Sequence, residues 1–210
     1  WDLNFEDVMG RIETWFENLR LKGEKGLITF ITAGDPSIEN TLDYMQSLVD
    51  GGADIIELGV PFSDPMADGP TIQRASERSL AAGTDLASIF TLVRTFRERN
   101  ASTPVILMGY MNPFERLGFE RFAKEARASG VDGVLVVDLP PEESVPQNKI
   151  LTVNGIRQIF LIAPNSSEDR IKKVGELAAG FIYYVSVKGV TGDKSISTSN
   201  IQRSLEVVRN

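Results

Sequence analysis

Three carboxylates stand where chemistry could use them. Glu57 follows Ala53-Asp54-Ile55-Ile56 and precedes Leu58-Gly59, near the carboxyl end of an apolar, β-branched run. Desolvation in such a place raises a carboxyl pKa and keeps part of the group protonated near neutral pH, as a general acid requires. A glutamate at a strand end can equally reach solvent or a neighbouring lysine. Asp68 lies in the loop Val60–Pro70, which carries three prolines and two aspartates. Prolines fix the shape of a loop, and a shaped, apolar loop suits ligand or partner contact. Asp68 could face Glu57 across a mouth, or it could cap the helix that starts near Pro70. Asp138 closes the apolar run Val134–Val137, where structural, substrate-orienting and catalytic roles are all open. Gly189-Val190-Thr191-Gly192 supplies free backbone N–H groups that can hold a phosphate, although four such residues also suffice for a plain turn.

The chain contains no histidine and no cysteine. That removes Ser-His-Asp and Cys-His nucleophilic machinery, Cys/His zinc patterns, redox dithiols and disulfides. Acid–base work is left to Asp, Glu, Lys, Tyr or a cofactor. A net charge of −7 argues against a nucleic-acid footprint, which needs a basic face. No apolar run approaches the roughly 18 residues of a membrane-spanning helix, and no secretory leader pattern opens the chain. A cytoplasmic protein is expected.

These residues need a scaffold. Phe5, Val8, Met9, Ile12, Phe16 and Leu19 recur at helical spacing and predict an opening amphipathic helix. Gly26–Thr32 reads as a buried strand, after which Ser37 can cap a helix that stops at Gly51-Gly52. Further strands are expected at Asp54–Leu58, Pro104–Met108, Gly133–Val137, Gln158–Ile162 and Phe181–Val185, with helices between them such as the one carrying Leu86, Ile89, Phe90, Val93 and Phe96. Six runs apolar on both faces, alternating with helices, predict a parallel sheet covered by helices. A Rossmann fold would want G-x-G-x-x-G after an early strand, and none occurs; a (β/α)₈ barrel is expected, as one domain over residues 1–210. Pro140-Pro141 and Pro146 fall where a helix is due and are expected to interrupt it.

Three stretches taken together carry a resemblance. Leu27-Ile28-Thr29-Phe30-Ile31-Thr32-Ala33-Gly34-Asp35-Pro36, the long block Glu57 through Gln73, and Gly189-Val190-Thr191-Gly192 closely resemble the tryptophan synthase alpha chain family, with Gly130–Gly133 through Glu142-Glu143-Ser144 matching in order. The resemblance implies a (β/α)₈ TIM barrel with an extra N-terminal helix that cleaves indole-3-glycerol phosphate to indole and glyceraldehyde 3-phosphate. It implies no metal and no cofactor in this chain, and a partner beta chain that carries pyridoxal phosphate and consumes the indole in an alpha2-beta2 assembly. By the same matching Glu57 is the acid–base residue and Asp68 the carboxylate that stabilises the indole N–H. Tyr183 and Thr191 support them, Phe30, Ile72 and Met108 line the indole pocket, and Gly192 offers backbone to the phosphate. Pro61, Asp64, Asn112 and Pro113 are implied to face the partner. The family continues with two further βα units beyond the last strand seen here, so the chain is expected to be a C-terminally incomplete barrel. Two other readings use the same residues: a stand-alone lyase that releases free indole, and a catalytically silent activator of a beta chain.

Overall fold

The computed structural model describes residues 9–163 and 165–185. Helix α1 (Arg11–Lys22) leads into β1 (Ile28–Thr32), α2 (Ile38–Asp50) and β2 (Ile55–Gly59). Two helices, α3 (Pro70–Ala81) and α4 (Leu86–Arg99), precede β3 (Val105–Gly109), and two more, α5 (Met111–Leu117) and α6 (Phe119–Ser129), precede β4 (Gly133–Val136). Then come α7 (Val145–Val153), β5 (Arg157–Ile162), α8 (Glu168–Leu177) and β6 (Ile182–Tyr184). The strands pair in sequence order, and every pair is parallel. A doubly wound sheet reverses its strand order at a switch point; no reversal occurs among the described residues. The arrangement is that of a (β/α)₈ barrel, with six consecutive strands described. No described helix is long and apolar enough to cross a membrane.

The absence of polar alternation follows from this topology, because the strands from β2 to β5 bury both faces. Ile56, Leu58, Val105, Leu107, Val134 and Val136 point outward and pack with Phe90, Phe96, Phe114 and Phe122 of the surrounding helices. Ile55, Ile106, Leu135 and Ile159 point inward and pack around Ile12 of α1. Ile12 is fully buried, so α1 stoppers the amino end of the barrel; a side chain of that size contributes about 1.5–3 kcal/mol by its burial.

Local signals place most boundaries, with four corrections. Helix α1 starts at Arg11, one residue after its cap Gly10, and Met9 lies outside it with 60% of its surface exposed; Phe5 and Val8 are outside the described residues. The first strand begins at Ile28 rather than Gly26, because Leu27 N–H is taken by the Asp54 carboxylate at 2.7 Å. Asp54 likewise stays out of β2: its other oxygen accepts from Trp15 Nε1 at 2.9 Å, tying α1 to the start of two strands. Pro146 does not break a helix. It sits in the first turn of α7, where no preceding turn needs its missing N–H. Ser37 caps α2 as expected, its side chain accepting from Asn40 N–H.

Asp132 is the hub of charge at the amino end. Asp132, 5% exposed, accepts from Arg11 at 2.8 Å, from Arg97 at 2.7 Å and from Val105 N–H at 2.8 Å. Arg97 also donates to the carbonyls of Gly130, Asn100 and Thr103. Burial pulls its pKa down to about 10, against the opposing pull of Asp132. This cluster links α1, α4 and the starts of β3 and β4.

Candidate active site at the carboxyl rim

Glu57 occupies the inner face of β2, beside Phe30 of β1 and Ile106 of β3 in the strand register. Only 4% of it is exposed. Its Oε1 is buried with no hydrogen-bond partner among the described residues. Burial alone pushes its carboxyl up to about 7, so near neutral pH the acid and the carboxylate are present in similar amounts. Tyr183 of β6 has its phenol raised first by burial and then by the charge of Glu57, which places the two side chains within electrostatic reach inside the barrel.

Asp68 reaches the same rim from the loop after β2. Its carboxylate does not cap α3, whose cap is Gly69 with no side-chain bond. Instead the Asp68 carbonyl accepts from Gln73 Nε2 at 2.8 Å, and its Oδ2 accepts from the Tyr110 hydroxyl at 3.2 Å. Burial raises the Asp68 pKa, and the Tyr110 bond opposes that rise. Tyr110 accepts in turn from Ala67 N–H at 3.0 Å, and its ring lies 5.4 Å from that of Phe62. The proline-rich loop is thereby moored to the end of β3.

Phe30, Asp68, Ile72 and Met108 line one cleft, together with Thr32, Gly59, Ser76, Tyr110 and Val137. The cleft is apolar except at Asp68 and the hydroxyls, which suits a flat aromatic ring carrying one N–H. Gly59 makes room for it: a Cβ at this position would lie 2.6 Å from Cζ of Phe30. On the outer side, Pro61, Asn112 and Pro113 line a second, more open groove with Phe62, Leu86 and Leu117. Asp64 is exposed at its edge and accepts from Ser63 Oγ.

Asp138 is exposed and accepts from Met111 N–H at 2.7 Å. It anchors the first turn of α5, which accounts for a carboxylate at that strand end. Thr191 and Gly192 are outside the described residues. Tyr110, Gly59 and Val137 were not expected from the sequence. Tyr110 does follow directly on a strand, at the rim where barrel sites form, and that position was the available signal. Among the described residues no three carboxylates cluster as metal ligands would.

Parallel strands with a carboxylate-bearing cleft at their carboxyl ends define a (β/α)₈-barrel protein with its site at the usual rim. The family model described as Tryptophan synthase alpha chain matches residues 16–210. A tryptophan synthase alpha chain of Burkholderia thailandensis is 56% identical over 201 residues, covering 96% of this chain and 74% of that one. The crystal structure of tryptophan synthase subunit alpha from Legionella pneumophila superposes with a TM-score of 0.84 at 45% identity, covering 86% of this chain and 70% of that one. A chain of a structure described for the tryptophan synthase a2b2 complex of Pyrococcus furiosus superposes with a TM-score of 0.80 at 42% identity, over 88% and 73% of the two chains. The chain belongs to the tryptophan synthase alpha chain family.

Proposed function

We propose that this chain is a carbon–carbon lyase that cleaves indole-3-glycerol phosphate to indole and glyceraldehyde 3-phosphate, the alpha reaction of tryptophan synthesis. The observation that carries the reading is Glu57: a buried carboxyl whose Oε1 has no partner among the described residues, balanced between its two protonation states, beside a largely apolar cleft. Protonated Glu57 gives its proton to indole C3, and positive charge develops on the ring nitrogen. Asp68, in the cleft wall, accepts the ring N–H and stabilises that charge. Glu57, now a carboxylate, takes the proton of the side-chain hydroxyl. The oxygen's electron pair forms the aldehyde carbonyl, the bond from that carbon to C3 breaks, and its electrons restore the neutral indole. One carboxyl that both gives and takes a proton works best with a pKa near the working pH.

The outer groove is where we place a beta chain. Its rim of prolines, Phe62 and Leu117 is apolar enough for a partner, and the related Pyrococcus furiosus structure is titled as an a2b2 complex. Pyridoxal phosphate belongs to that partner, and the alpha reaction proposed here uses only side chains. Neither a stand-alone lyase nor a silent activator gains an observation of its own.

The test is indole release from indole-3-glycerol phosphate by Glu57→Gln and Asp68→Asn, with and without beta chain. Loss of an acid–base residue costs on the order of 10²–10⁴-fold, and both variants should fall that far while keeping the wild-type circular dichroism. Turnover of Glu57→Gln within tenfold of wild type would overturn the assignment.

A further inference from the structure

We infer that Tyr110 is the positioning residue for Asp68, holding one carboxylate oxygen in place so that the other is presented to the substrate's ring N–H; this rests on the acid–base roles proposed above. The Tyr110 hydroxyl has a single hydrogen to donate. Tyr110 Oη already accepts from Ala67 N–H at 3.0 Å, so the hydrogen it donates points to its other neighbour, Asp68 Oδ2, at 3.2 Å. The ring cannot swing away, since it is 3% exposed and stacked against Phe62. Asp68 itself stands on a loop with no strand or helix of its own, and Asp68 N–H donates only to Pro65 O in that same loop. The phenol is therefore the tie from its carboxylate to the rigid end of β3. Among the described residues Oδ1 has no hydrogen-bond partner, and Asp68 lines the cleft.

The charged neighbours do not compete for this bond. Asp138 acts on Tyr110 through space, but its carboxylate is engaged by Met111 N–H. Glu57 acts on Tyr183, on the opposite side of the barrel interior. Burial first, and then Asp68 and Asp138, push the Tyr110 phenol up to about 12 against the opposing pull of the Ala67 N–H bond, so it remains a donor across the working range. The donated bond favours ionised Asp68 against the desolvation that disfavours it.

The measurement is the pH profile of kcat and KM for indole-3-glycerol phosphate, on the chain saturated with beta chain. Wild type should show an acid limb set by Asp68, which must be ionised, and an alkaline limb set by Glu57, which must begin protonated. Tyr110→Phe keeps the ring and removes only the hydrogen bond. Such a bond to a charged group is worth roughly tenfold or more, so kcat should fall about tenfold. The acid limb should move up by about one pH unit, while the alkaline limb and KM stay within about a factor of two. Site-specific 3-fluorotyrosine at 110, a stronger donor of the same shape, should move the acid limb the other way. An unmoved acid limb with kcat within twofold of wild type would overturn the inference, and so would a rise in KM alone or a loss of activity accounted for by a smaller folded fraction. Wild-type turnover by Asp68→Asn would remove the reading on which the inference rests, and the inference with it.

Discussion

Two carboxylates are buried to the same degree at opposite ends of this barrel, and they are treated in opposite ways. Asp132, at the amino end, is 5% exposed and meets two arginines and a backbone N–H. Glu57, nearer the carboxyl end, is 4% exposed and keeps Oε1 buried without a partner among the described residues. Burying a charge is costly unless it is paired and hydrogen-bonded. At Asp132 the fold meets that requirement; at Glu57 it leaves it unmet, and the carboxyl responds by holding its proton up to about 7. The first group serves the fold, and the second is available for chemistry.

The comparison breaks most visibly at the amino end. Asp132→Asn leaves Arg97, itself only 11% exposed in its side chain, without a countercharge. Removing one partner from a buried pair costs about 3–5 kcal/mol. Urea unfolding should show a loss of that size at pH 7, while kcat per folded molecule stays near wild type. A lost kcat with unchanged stability would mean that the two ends do not divide their labour as described.

How far the sequence reveals each end depends on separation along the chain. Glu57 stands out because it sits near the carboxyl end of an apolar, β-branched run, where barrel sites form, although the same position also allows reach to solvent or a lysine. The cap at Ser37 and the strands around Ile56, Leu107 and Leu135 follow from local pattern and were placed within a residue or two. The bond between Tyr110 and Asp68 joins residues 42 apart, and that between Arg11 and Asp132 joins residues 121 apart. No local pattern marks such pairs; only barrel closure brings them together. The same holds for Asp138, whose partner Met111 N–H is 27 residues away, so its role as an anchor was one of several open readings. Pro146 misled for a different reason: a proline is a helix breaker or a helix starter according to the turn it occupies, and the boundary decides which.

A smaller effect separates the two carboxylates by pH. The Glu57 carboxyl is raised from 4.5 to about 7 on folding, so the folded state binds this proton more tightly than the unfolded chain. Below about 4.5 both states hold it and Glu57 contributes no penalty. Between about 4.5 and 7 the unfolded chain releases it first, and stability falls by about 1.4 kcal/mol per pH unit. Above 7 the penalty is complete, at about 3 kcal/mol. Glu57→Gln should therefore be more stable than wild type at pH 8 by up to that amount and comparable at pH 4.5. Thermal melts across this range decide it; parallel pH curves for the two proteins would mean that the charge of Glu57 is compensated within the fold.

The smallest effects come from two inward-facing glycines, one at each end, and they sharpen the contrast with the least disturbance. At Gly133, the first residue of β4, an added Cβ would meet the Arg157 carbonyl at 3.1 Å and Cδ1 of Ile12 at 3.3 Å. A backbone carbonyl within a strand ladder cannot step aside, and Ile12 is the stopper of the barrel. Overpacking of this kind costs about 1–3 kcal/mol, so Gly133→Ala should lose stability and keep its KM. At Gly59 an added Cβ would meet only the tip of the Phe30 ring, at 2.6 Å from Cζ and 2.8 Å from Cε2. Phe30 is half-buried and borders the cleft, so its ring can turn away at a cost toward the low end of that range, about 1 kcal/mol. The space it enters is the space proposed for the indole ring. Gly59→Ala should therefore melt close to wild type while KM for indole-3-glycerol phosphate rises severalfold. A reversed pattern, with stability lost at Gly59 and substrate affinity lost at Gly133, would place the binding cleft at the wrong end of the barrel.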